Sequence, residues 1–174
     1  FLSILASYDF LAFFIREISL RLFGLLLITL GGGLGWVLAL LGKDWWLGSL
    51  PLDFYSPETF GFLGLFGVPH LALARALLLW ALLAYLRFWT GEVLPNQALL
   101  HSAKLAGLWF LAGVVQPLSS LVIGFVAVLH TGGILIWKLA RRESLAGSTG
   151  VNAGWVVRWM LLPGIPPGLF VLYN

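Results

Sequence analysis

The longest uncharged stretch decides what this chain can fold into. Leu105 to Trp137 runs for 33 residues without an Asp, Glu, Lys or Arg. A second such stretch, Leu22 to Leu41, is 20 residues long. At a rise of about 1.5 Å per residue it covers roughly 30 Å, one hydrocarbon thickness of a bilayer. Of the 174 residues, 60% are hydrophobic and 10% charged, whereas a soluble domain carries about 25% charged residues. So few charges cannot cover so much apolar surface in water. The predicted fold class is therefore all-α, a polytopic transmembrane helical bundle. Water-soluble enzyme folds, nucleic-acid binders and disordered tails are excluded as readings of the whole chain, and the lipid bilayer is its first partner. Residues 1–174 read as a single transmembrane domain. Phe1 opens inside an apolar run, Asn174 closes one, and the only Met is Met160, so the expectation is a piece of a larger membrane protein.

The pattern predicts about five spans. Phe1 to Phe14 is apolar but too short to cross alone, and Arg16, Glu17 and Arg21 form a polar junction after it. Leu22 to Leu41 is the clearest single span. Pro69 to Leu86 is the next, interrupted by Arg75. The 33-residue stretch is too long for one crossing, and Pro117 removes a backbone donor inside it. It reads as a tight hairpin, a shorter helix over 105–115 followed by one over 118–137. A last apolar segment, Trp159 to Tyr173, is broken by Pro163, Pro166 and Pro167. Between the spans, Ser56-Pro57-Glu58-Thr59 has the form of a helix start: a Ser cap, Pro at the first helical position and an acid in the first turn. Phe60 to Gly67 is too short to cross, so a short interfacial or re-entrant helix is expected near 57–67. Its Gly61, Gly64 and Gly67 leave a bare strip for helix packing or for a lipid chain.

Charge orients the chain. With residues 15–21 in the cytoplasm, loops 87–104 and 138–158 are cytoplasmic too, and loop 43–68 lies outside. Eight of the ten basic residues then sit inside, Lys43 is the one outside, and Arg75 is within the membrane. This sorting follows the positive-inside rule and supports the hairpin. The chain has no Cys, which excludes disulfides, thiolate metal sites and a Cys nucleophile. His70, His101 and His130 are spaced unlike a ligand pair on one helix, and no cofactor is evident. A divalent metal gains no support from the sequence. Most of the nine Trp residues fall at proposed span ends, as in an interfacial aromatic belt. Gly31-Gly32-Gly33-Leu34-Gly35 lacks the Lys-Ser/Thr of a phosphate loop, and reads as close helix packing with Gly31 and Gly35 one turn apart.

Four residues stand out as candidates for binding a substrate. Arg75 is the one basic residue within a span, about 9 Å along the helix from Pro69. A charge there is expensive, and faces a polar cavity or a partner. A guanidinium holds a phosphate through paired donors; a salt bridge to Asp9 or Glu58 would serve equally well. His70 begins the same helix, but five residues amount to about 140° of rotation, so the two side chains do not share a face. Glu58, with Asp53, is a carboxylate in the outer loop, open to a catalytic role or to service as a helix-start acid. Gln116 sits at the hairpin tip, where Pro117 frees a carbonyl that needs a partner.

The order of these features resembles a known family. A Gly-rich span (Gly31-Gly32-Gly33-Leu34-Gly35-Trp36) is followed by Pro57-Glu58-Thr59-Phe60, then by Pro69-His70-Leu71-Ala72-Leu73-Ala74. An apolar hairpin centred on Gln116-Pro117 comes next, with a basic end at Lys138 to Arg142. This is similar to the middle of bacterial polytopic GT-C-type glycosyltransferases, related to polyprenyl-phosphate-sugar mannosyl- and arabinosyltransferases. The resemblance implies transfer of a sugar from a polyprenyl-phosphate carrier at the outer face of a bacterial cytoplasmic membrane. It implies an outer-facing pocket lined by Glu58, His70 and Arg75, with Arg75 nearest the lipid-linked phosphate. The family's catalytic carboxylate lies in an earlier outer loop, so no residue here inherits that role, and the segment alone would be inactive. Where such sequences often carry His-Pro in the hairpin, this one has Gln116-Pro117. The alternative is a non-catalytic membrane subunit or transporter component, in which the broken segments at Gln116-Pro117 and Pro163 to Pro167 line a path.

Overall fold

The computed structural model describes residues 1–31, 35–42, 67–141, 164–165 and 168. Among these the regular structure is helical throughout. Helices α1 (Leu2–Phe14), α2 (Ile18–Leu30), α3 (Gly35–Leu40), α4 (Pro69–Trp89), α5 (Ala98–Val115) and α6 (Pro117–Ala140) follow one another, with a 3₁₀ turn at Pro95–Gln97 before α5. Three are long and apolar enough to cross a membrane: α4, α5 and the Pro117–Ile134 part of α6. The all-helical, membrane-spanning class read from the sequence is therefore the architecture found. The expected helix near 57–67 and most of the last apolar segment lie outside the described residues. The chain divides into two compact units, Phe1–Ala76 and Leu77–Asn174.

In the first unit α1 and α2 pack as a hairpin. Each has 13 residues, roughly 20 Å of helix, less than one hydrocarbon thickness. Gly24 allows the approach: a Cβ there would stand 3.3 Å from Leu11 Cδ1. The polar junction becomes the clip of this hairpin. Past the end of α1, two carbonyls have no intrahelical donor. Arg21 supplies one to each, from Nε to Ile15 O at 3.0 Å and from Nη2 to Arg16 O at 2.7 Å. Its Nη1 donates to Tyr8 Oη at 3.2 Å, and the guanidinium lies 5.5 Å from the centre of the Tyr8 ring.

The expected single span over 22–41 is not one helix. α2 stops at Leu30, Gly31 takes extended dihedrals (φ −67°, ψ 137°), and α3 starts at Gly35. A Cβ on Gly31 would collide with the Leu27 carbonyl oxygen, so the tight exit from the helix needs glycine. The Gly31/Gly35 pair flanks a break instead of lining one face of a continuous helix.

In the second unit α4, α5 and α6 enclose one core. Leu77, Ala81, Ala84, Tyr85 and Phe88 form a buried stripe on α4 at helical spacing. Ala98, Leu105 and Ala112 answer it from α5, seven residues apart, and Ile123 from α6. The alanines on these stripes let the helix backbones come close. α4 ends in a left-handed glycine, Gly91 (φ 75°), two residues past Trp89, a conformation that glycine takes without penalty.

Two boundaries here bear on the predicted spans. The break at Gln116-Pro117 is where the sequence put it: Gln116 is extended (φ −153°, ψ 104°) and Pro117 opens α6, where its missing N–H costs nothing. The helix before it, however, is not the short 105–115 segment. It begins at Ala98 and has 18 residues, because the polar residues of the expected connector are absorbed. Ser102 is buried and His101 is bonded to α4.

Candidate functional site

The structure places three of the four candidate residues, and Glu58 lies outside those described. His70 is exposed on the first turn of α4. Arg75, less than two turns further on, is partly buried, and its neighbours Ala74 and Ala76 are fully buried. Among the described residues none forms an ion pair or hydrogen bond with Arg75. Gln116, in the second unit, serves the helix break. Its carbonyl accepts from Ser119 N at 2.9 Å and its Oε1 from Ser119 Oγ at 3.0 Å. The local turn thus explains the Gln116 side chain without a ligand.

Among the described residues, a polar cluster between α4 and α6 involves none of these. Tyr85, 2% exposed, projects from α4 onto one turn of α6. Its hydroxyl lies 2.7 Å from His130 Nδ1, 3.1 Å from Thr131 Oγ1 and 3.3 Å from the Ala127 carbonyl oxygen. A phenol has one proton to donate and room to accept. It donates to the carbonyl or to a neutral imidazole nitrogen, and the Thr131 hydroxyl completes the set. The His130 ring stands edge-on to Tyr85 and to Trp89, with centroids 5.6 and 5.4 Å apart. One turn of α4 receives the second histidine too: His101 Nε2 donates to Ala84 O at 2.9 Å, and its ring meets Phe88 edge-on at 4.8 Å.

Trp109 makes a third polar contact, this one across the α5–α6 hairpin. Its indole N–H donates to Ser120 Oγ at 2.8 Å and to Ser120 O at 3.1 Å. Glycines flank the ring: a Cβ on Gly124 or on Gly164 would stand 3.2 or 3.3 Å from it. This tryptophan is a packing residue and not part of the interfacial belt. Trp137, near the end of α6, fits that belt, whereas Trp89 ends α4 packed against His130.

Sequence reasoning weighed His101 and His130 only as a ligand pair on one helix and so missed their use between helices. Tyr85 carried no signal, since its partners lie 42 to 46 residues away. The Tyr85 hydroxyl, the His101 and His130 rings and the Trp109 indole bond to neighbouring helices, the way membrane helices satisfy interior polar groups. Among the described residues no three His, Asp or Glu side chains gather as metal ligands would.

These observations define a helical integral membrane protein with a hydrogen-bonded three-helix core. No protein-family model, curated protein or solved structure matches the chain.

Proposed function

We propose that this chain is the membrane-embedded helical part of a protein that handles an anionic, lipid-linked substrate, with Arg75 as its phosphate contact. The observation that carries this is a guanidinium in a membrane-spanning helix, partly buried, without an ion pair or hydrogen bond to any described residue. Such a charge requires an anion or a polar cavity, and a phosphate matches its paired donors. The basic residues orient the chain with 87–104 and 138–158 in the cytoplasm and 43–68 outside. Arg75 then lies in the outer half of α4. The family resemblance makes the substrate a polyprenyl-phosphate sugar. The reaction would be inverting attack by an acceptor hydroxyl, helped by a carboxylate outside this segment, with Glu58 and His70 as secondary contacts.

The test is donor binding and sugar transfer by the full-length protein carrying Arg75→Ala. Loss of charged hydrogen bonds of about 1.5–3 kcal/mol weakens donor binding by about tenfold or more, and Arg75→Lys restores part of it. Unchanged transfer kinetics would sink the role. A second reading, a non-catalytic membrane subunit or transporter component, is favoured by one observation: Tyr85, His101 and Trp109 all bond to neighbouring helices. Under it, Arg75→Ala alters stability or assembly and leaves no transfer activity to measure.

A further inference from the structure

We propose that α6 carries a hinge at Gly132-Gly133, which swings its C-terminal end about a pivot set by Tyr85, independent of the role given to Arg75. The pivot is a firm joint between α4 and α6. The Tyr85 hydroxyl lies 3.3 Å from Ala127 O, 2.7 Å from His130 Nδ1 and 3.1 Å from Thr131 Oγ1. α4 itself ends at Trp89, four residues past Tyr85. α6 runs on past Thr131 to Ala140. In that stretch Ile136 is 69% exposed and Trp137 50%, so neither side chain is held by a neighbouring helix as Tyr85 holds His130. The Arg141 guanidinium stacks on the Trp137 ring, 4.3 Å from its centroid, which ties the last turn together as one piece.

The two glycines follow that joint directly. Other helical glycines make room for a neighbour: a Cβ on Gly24 would stand 3.3 Å from Leu11 and one on Gly124 3.2 Å from Trp109. A Cβ on Gly132 or Gly133 would meet nothing within 4 Å, so packing in this fold does not ask for glycine at either position. What two adjacent glycines give a helix is weakness. Each has more backbone freedom to lose than any other residue, and in a helix interior each is about fivefold less favourable than alanine. Sharp kinks concentrate where such small residues pair. Both residues are helical here, so the unbroken α6 is one of two conformers, and the bend opens at 132–133. With about 10 Å of helix from Gly133 to Ala140, a kink of about 20° carries the end sideways by about 4 Å. Lys138 and Arg141 move with it, so the hinge repositions positive charge at one end of the helix.

The chain has no Cys, so two introduced cysteines take spin labels cleanly. The experiment places them by Leu99→Cys on α5 and Ala140→Cys at the end of α6, both exposed positions. The full chain is held in lipid bicelles, and double electron–electron resonance reads the distance distribution between the labels. With both glycines present the distribution is broad, spread by about 4 Å or more. Gly132→Ala together with Gly133→Ala narrows it, because the share of bent conformers falls by about twentyfold. The added methyl groups meet open space, so the fold tolerates them. A distribution already as narrow with the glycines as without them overturns the hinge, and leaves the pair to contact another helix. A distribution equally broad in both chains overturns it too, since the motion then lies elsewhere.

Discussion

The two units solve one problem, satisfying polar groups amid apolar surface, in different ways. In the first, Arg21 closes the α1–α2 turn with partners five to thirteen residues away. In the second, Tyr85 reaches partners 42 to 46 residues away, and His101 and Trp109 also join separate helices. A local clip fixes a turn. A bond between distant segments fixes which helices are neighbours and at what level. The second unit should therefore lose more stability when a contact is removed than the first.

Unfolding of the full chain in bicelles can break or sharpen this contrast. The largest effect is expected at Gly124→Leu, where the added side chain meets the Trp109 ring; overpacking should destabilise by about 1–3 kcal/mol. Tyr85→Phe keeps the ring and deletes the hydroxyl, and should cost about 0.6–1.7 kcal/mol, the range for interhelical hydrogen bonds in membranes. Trp109→Phe removes the indole N–H from Ser120, with an expected loss of about 0.6 kcal/mol beyond whatever the smaller ring gives up in packing. Arg21→Met, at the hairpin clip of the first unit, should have the smallest effect, under about 1 kcal/mol, because its bonds are partly exposed to solvent. An Arg21 loss larger than the Tyr85 loss would reverse the contrast.

Much of the architecture was legible because the bilayer imposes simple rules. Absence of charge over 105–137 marks the α5–α6 pair, and Pro117 marks its break, since a proline lacks the donor that a continuous helix uses. Arg16, Glu17 and Arg21 read as a junction for the same reason. What escaped depended on partners distant in sequence. Ala98 to Lys104 looked like a connector because His101, Ser102 and Lys104 are polar, yet His101 has its acceptor on α4. Gly31 looked like part of a packing surface, but the chain uses it to leave the helix. The placement of Arg75 in a spanning helix was legible from the apolar residues around it. The Tyr85–His130–Thr131 cluster was not, because no spacing rule links residues on separate helices.

The central claim is that direct bonds between distant helices hold the second unit together, and a double-mutant cycle on Tyr85→Phe and His130→Leu tests it most directly. The account predicts a coupling energy of about 0.6–1.7 kcal/mol between the two sites. Additive losses, with no coupling within error, would contradict it.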